Sequence, residues 1–263
     1  MKRVLMLLCF ICVFNADLAQ AVLVSDSHCN LYSYDVSTGT SRLIGNSGLG
    51  EAWNNFYGFA WYDIAMNPVD GKLYGITGYG DFYSIDPATG KPTHIGKAEA
   101  FINGLTFDSE GTLYGSGSTY LYTIDLTDAS LTQIGETGFN SSGDLAFDSY
   151  GRLYLTATGQ TTDDSDQLVA VDPSTGTGTK IGNIGYSKVY GLSIVDSILY
   201  GFTENKQILE IDMSTGLGTL KGTTEISAYG ATSVVPEPAT VLLFGTGLLI
   251  AGFVGYRSNK NDT

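Results

Sequence analysis

The sequence predicts an all-β fold, a five-bladed β-propeller, and three observations carry that reading. A strand–turn–strand motif recurs five times: "LYSYDVSTGTSRLIG" from Leu31, "FYSIDPATGKPTHIG" from Phe82, "LYTIDLTDASLTQIG" from Leu121, "LVAVDPSTGTGTKIG" from Leu168 and "ILEIDMSTGLGTLKG" from Ile208. A second strand pair precedes four of the copies, as "DIAMNPVDGKLYGIT" from Asp63, "GLTFDSEGTLYGSG" from Gly104, "DLAFDSYGRLYLTA" from Asp144 and "GLSIVDSILYGFT" from Gly191. The corner residues Asp35, Asp86, Asp125, Asp172 and Asp212 stand 51, 39, 47 and 40 residues apart, which is the spacing of four-stranded units set around an axis. A β-sandwich or an open solenoid is the alternative that strand spacing alone leaves open.

The first element is a leader. Lys2 and Arg3 precede an apolar stretch from Val4 to Phe14, and Ala19, Gln20 and Ala21 follow. That order of charged, apolar and small residues reads as a secretory signal peptide over residues 1–21, cleaved after Ala21. Cys9 and Cys12 fall within it and leave Cys29 alone, which excludes an internal disulfide or a cysteine-based zinc site in the exported chain. The remaining 22–235 are long enough for one substantial domain. A net charge of −14, with the basic residues scattered singly, would repel a phosphate backbone and excludes nucleic acid as a partner.

Within each blade, apolar residues alternate with small or polar ones over five or six positions, the period of a strand. The turns between them are written in their residues. In "DPATGK", Asp86 can accept from nearby backbone N–H, Pro87 presets φ, and Gly90 supplies the left-handed position; Gly39, Gly176 and Gly216 repeat it. The third copy has Asp128, Ala129 and Ser130 instead, so its turn must differ or accept strain. Small residues recur near the middle of the leading strands, at Ala65, Thr106, Ala146, Ser193 and Thr232, where innermost strands crowd one another. The first copy lacks a leading strand, while "AYGATSVV" from Ala228 is a leading strand with nothing after it. We therefore expect Tyr229 to Val235 to join the first blade and close the ring, removing an exposed sheet edge.

The last element, residues 236–263, begins with Pro236, Glu237 and Pro238. An uncharged stretch follows from Ala239 to Tyr256, then Arg257 and Lys260. As a helix that stretch comes close to spanning about 30 Å of hydrocarbon, and the basic end falls on the inner side for an exported domain. This ending resembles that of PEP-CTERM proteins of Gram-negative bacteria, in which a Pro-Glu-Pro motif, a transmembrane helix and a small basic cluster follow one another. The resemblance implies recognition by an exosortase, which would remove the helix and release or re-anchor the domain. It also implies an association with exopolysaccharide and biofilm-forming envelopes. The protein would be tethered to the inner membrane before processing and reach the cell surface or the medium afterwards. An ordinary single-pass anchor is the alternative.

No residue set demands catalysis or a cofactor. His28 and His94, the two histidines of the chain, belong to no nucleophile or metal motif. The five corner aspartates read as turn formers, and Asp163, Asp164 and Asp166 as a solvated acidic loop without the glycine and glutamate of a calcium-binding loop. Ligand binding falls instead to the longest connection between blades, "GEAWNNFYGFAWYD". Trp53 and Trp61 are expected at least partly exposed beside Tyr62 and Asp63, where aromatic faces could stack on sugars. Tyr190 and Tyr229 begin other inner strands and complete the rim. Packing of these aromatics as core between two blades is the competing reading. Asp63 and Asp144 open inner strands on the same face and are the minimum a glycosidase would need, with no third acid at the equivalent positions. The expectation is an exported, non-catalytic envelope or matrix protein that binds exopolysaccharide or another surface partner. A glycan-active enzyme and a purely structural coat protein remain as alternatives.

Overall fold

The computed structural model describes residues 21–49, 60–159 and 165–234. Residues 1–20 of the expected leader, the sorting segment from Pro236 onward, Trp53, Asp163 and Asp164 lie outside the described residues. Among the described residues no helix is long and apolar enough to cross a membrane. The described residues form twenty strands in five four-stranded antiparallel sheets. The inner strands are β4 (Trp61–Met66), β8 (Gly104–Phe107), β12 (Ser141–Phe147), β16 (Val189–Val195) and β20 (Ala228–Ser233). Four sheets run in simple order outward from their inner strand, over residues 61–97, 104–136, 141–183 and 189–223. In the fifth, β20 pairs antiparallel with β1 (Ala21–Asp26), ahead of β2 (Asn30–Asp35) and β3 (Thr40–Asn46). Val22 stands opposite Ser233, and the Val234 N–H donates to Ala21 O at 3.1 Å. Ala21 is itself a buried strand residue, so cleavage immediately after it would cost this bond.

The apolar period of the sequence is spent on the spaces between blades. The described residues form five buried clusters, each drawing on two neighbouring sheets: Leu23 and Leu31 with Trp61 and Leu73, Ile76 and Phe82 with Leu105 and Leu113, Leu121 with Leu145 and Leu155, Leu168 with Leu192 and Leu209, and Val22 and Val24 with Phe202 and Ile208. At roughly 1.5–3 kcal/mol for each fully buried large side chain, these interfaces hold the ring.

Each corner aspartate anchors its hairpin as its sequence suggests. Asp35 Oδ1 accepts from Ser37 N at 2.8 Å and Ser37 Oγ at 2.7 Å, and Asp86, Asp125, Asp172 and Asp212 repeat the contact two residues on. These bonds hold the five carboxyls below their ordinary pKa. Gly39, Gly90, Gly176 and Gly216 adopt φ of 71°, 72°, 77° and 78°. In the third copy Ala129 takes the same conformation at φ 66° and accepts its strain, its methyl being fully buried. The acidic loop differs from its sequence reading at one residue. Asp166 is buried rather than solvated, and its Oδ2 accepts from Val189 N at 2.7 Å, tying two blades together.

Candidate functional site

The inner strands reach the axis edge-on, and this dictates what stands there. One edge of each is paired outward, so every second N–H points inward without a strand to receive it. Those of Ile64, Leu105, Leu145, Leu192 and Ala231 form such a ring, one from each blade. Asp63 and Asp144 satisfy all five. Asp63 Oδ1 accepts from Ile64 N at 2.7 Å and Oδ2 from Leu105 N at 2.5 Å. Asp144 Oδ1 accepts from Leu145 N at 2.6 Å, and its Oδ2 from Leu192 N at 2.7 Å and Ala231 N at 3.3 Å. The two carboxyls are also hydrogen-bonded to each other. Two side chains thus tie five blades together at the centre.

Neither carboxyl has any exposure. Burial, then the Asp144 charge and its hydrogen bond, push the Asp63 carboxyl well above the usual carboxylate range. Burial also raises Asp144, to about 7, against the opposing effect of the bond from Asp63 and the three backbone donors. The pair therefore retains a shared proton, through which one carboxyl donates to the other. The other inner strands carry Gly104, Gly191 and Gly230 at the equivalent position, and the last of these makes room for the pair. A Cβ at Gly230 would overlap Asp63 Oδ1 and lie 2.8 Å from its Cα.

The residue before the dyad level is where the aromatic rim gathers. In three inner strands the register slips by one residue, between Trp61 and Asp63, between Val189 and Gly191, and opposite the Ser25–Asp26 step. The unpaired residues are Tyr62, Tyr190 and Tyr229. A bulge re-aims its extra side chain out of the strand alternation. Here it delivers three phenol rings to one face: Tyr62 and Tyr229 lie 6.3 Å apart, and Tyr190 and Tyr229 lie 5.5 Å apart. Phe101, 48% exposed, extends the row edge-on to Tyr62 at 5.8 Å. The Tyr229 hydroxyl donates to Glu204 Oε1 at 3.1 Å, and Glu204 pairs with Lys188 at 2.5 Å. Burial and the Glu204 charge raise the Tyr229 pKa. Beside the row, Asn103 Nδ2 donates to Ser141 O while its buried Oδ1 has no partner among the described residues.

Of the predicted site residues, Tyr62, Tyr190 and Tyr229 come together as a partly exposed rim. Trp61 corrects the sequence reading: it is 1% exposed rather than at the surface. It precedes the bulge and points into the first interblade core, edge-on to Tyr83 at 5.5 Å. Asp63 and Asp144 are likewise corrected from rim residues to an enclosed pair, because the inward N–H ring claims their oxygens. Phe101 and Asn103 were missed. Phe101 lies outside the repeated motifs, so only its place in the fold reveals it. Among the described residues no group of three His, Cys, Asp or Glu side chains is placed to hold a metal ion.

Fold and site together define a five-bladed β-propeller with an enclosed axial carboxyl pair and an aromatic row on one face. Residues 234–258 match the PEP-CTERM protein-sorting motif, so this propeller carries the address of an exported protein that an exosortase processes. No curated protein matches the chain.

Proposed function

We propose that this protein is a non-catalytic component of the cell envelope or extracellular matrix, exported by the leader at 1–21 and held by the helix after Pro238 until exosortase processing. Its propeller binds exopolysaccharide through the row Phe101, Tyr62, Tyr229 and Tyr190. The observation that carries the reading is that three separate β-bulges aim tyrosines at one face, at ring spacings of 5.5 and 6.3 Å. Stacked pyranose rings suit such a surface, since aromatic rings lose little conformational entropy on contact. The enclosure of Asp63 and Asp144 supports the non-catalytic part: a glycosidase must bring both carboxyls to the scissile bond, and these have no exposure. Pairing of β20 with β1 supports closure of the ring by the C-terminal strand, leaving this face as the free surface.

The test is titration of the full chain in detergent micelles with exopolysaccharide extracted from a producing host. Removing one stacked ring costs about 0.5–1.5 kcal/mol, or roughly twofold to tenfold in affinity. Tyr62→Ala and Tyr229→Ala should each weaken binding by that amount with little change in melting temperature. Unchanged affinity in both variants would overturn the reading.

A further inference from the structure

On the far side of the carboxyl pair from the tyrosines, the inner strands enclose a cavity of about 220 Å³, lined by Leu105, Leu145 and Leu192 at its floor and by Thr106, Ser193 and Thr232 above them. A single water needs only about 10–15 Å³, so the space admits a small molecule. Strand alternation brings a second ring of backbone groups here, two residues beyond the first: the N–H groups of Met66, Phe107, Phe147, Ile194 and Ser233. The Met66 N–H donates to Thr232 Oγ1 at 3.1 Å. The other four come from residues that all line the cavity, and strand alternation turns them away from the outward-paired edge. Ser193, 2% exposed, also lines it, and its Oγ has no partner among the described residues. Buried polar groups are seldom left unpaired in this way.

From this arrangement we infer a second binding site, an axial pocket that takes one compact, uncharged, polyhydroxylated unit such as a pyranose. Three features of the pocket select that chemistry. The inward edge of each strand presents C=O as well as N–H, so the wall both donates and accepts, as hydroxyl groups require. Asp108 at the mouth and the carboxyl pair below the floor disfavour an anion, and no basic side chain lines the cavity, although Arg152 behind it takes up the charge of Asp148. The leucine floor offers an apolar surface to the C–H face of a sugar ring. The pocket is separate from the tyrosine row and does not depend on it.

The test uses methyl β-D-glucopyranoside, methyl α-D-mannopyranoside and methyl β-D-galactopyranoside as neutral probes and D-glucuronate as the charged control. Amide shifts of the full chain in micelles are followed by NMR. At least one neutral probe should shift the Phe107, Phe147, Ile194 and Ser233 amides saturably below 50 mM, and glucuronate should not. Ser193→Ala should weaken that response at least fivefold without lowering the melting temperature, since it removes a hydroxyl that has no internal partner. Tyr229→Ala should leave the response unchanged, which separates this site from the saccharide-binding face. Absence of saturable shifts at these amides with all three neutral probes, an equal response in Ser193→Ala, or stronger binding of glucuronate would each overturn the proposal.

Discussion

Raising the pH should loosen the ring from its centre. An Asp carboxyl with an ordinary value of 3.8 titrates at about 7 in Asp144, so the fold favours its protonated form by about 4 kcal/mol. Because the pKa is raised on folding, that stabilisation is complete below pH 3.8 and is lost as the pH rises through 7. Asp63, raised further by burial and by Asp144, extends the loss above pH 7. The corner aspartates act in the opposite sense: their lowered values withdraw stability only as the pH falls below 3.8. Maximum stability is therefore expected on the acid side of neutrality. For a domain of this size about 4 kcal/mol corresponds to roughly 8–16 °C in melting temperature. Scanning calorimetry of the full chain at pH 4, 5, 7 and 9 should show a progressive fall of that order. Asp63→Asn removes one titrating group from the pair, and its amide takes the place of one acceptor of the Ile64 or Leu105 N–H. The variant should lose about 1–3 kcal/mol at pH 5 and fall less steeply than the wild type up to pH 9, since Asp63 no longer titrates while the buried Asp144 still does. A wild-type melting temperature flat from pH 5 to 9, or parallel wild-type and variant curves, would refute the reasoning.

Gly230→Ala places a methyl against Asp63 and should destabilise by more than about 2 kcal/mol, read as a lower denaturant midpoint at unchanged slope. Deleting residues 228–263 removes β20, its pairing with β1 and the bond from Ala231 to Asp144. Its melting temperature should fall markedly below that of a chain ending at Val235, whereas equal curves would show β20 to be dispensable. In a host with an exosortase, intact mass should reveal loss of the segment after Pro238. Replacing Glu237 and Pro238 by Ala should leave the chain full-length in the membrane, and retention of that segment by the wild type would favour a simple anchor.

The propeller was legible because its turns are local chemistry. The Asp-x-Ser-Thr-Gly corner marks three outer hairpins, "DPATG" and "DLTDA" vary it in the other two, and the unmatched "AYGATSVV" pointed to the pairing of β20 with β1 in another sheet. The site was harder, for reasons that single residues show. Trp61 and Tyr62 are neighbours with opposite fates because a bulge falls between Trp61 and Asp63, and nothing in the alternation of "FAWYDIAM" announces it. What could have announced it is the recurrence of Tyr directly before the inner-strand Asp or Gly in "WYD", "VYG" and "AYG". The fate of Asp63 and Asp144 depends on inward N–H groups from all five blades, a long-range property that no segment contains. The tryptophans drew attention by their size, but Trp61 spends that size on an interblade core.

Hydrogen exchange on the full chain, with and without the host's exopolysaccharide, tests the central claim most directly. Binding on the tyrosine row predicts protection in segments containing Tyr62, Phe101, Tyr190 and Tyr229, with the outer turns at Asp35, Asp86, Asp125, Asp172 and Asp212 unchanged. Protection confined to those outer turns, or none at saturating polysaccharide, would contradict it.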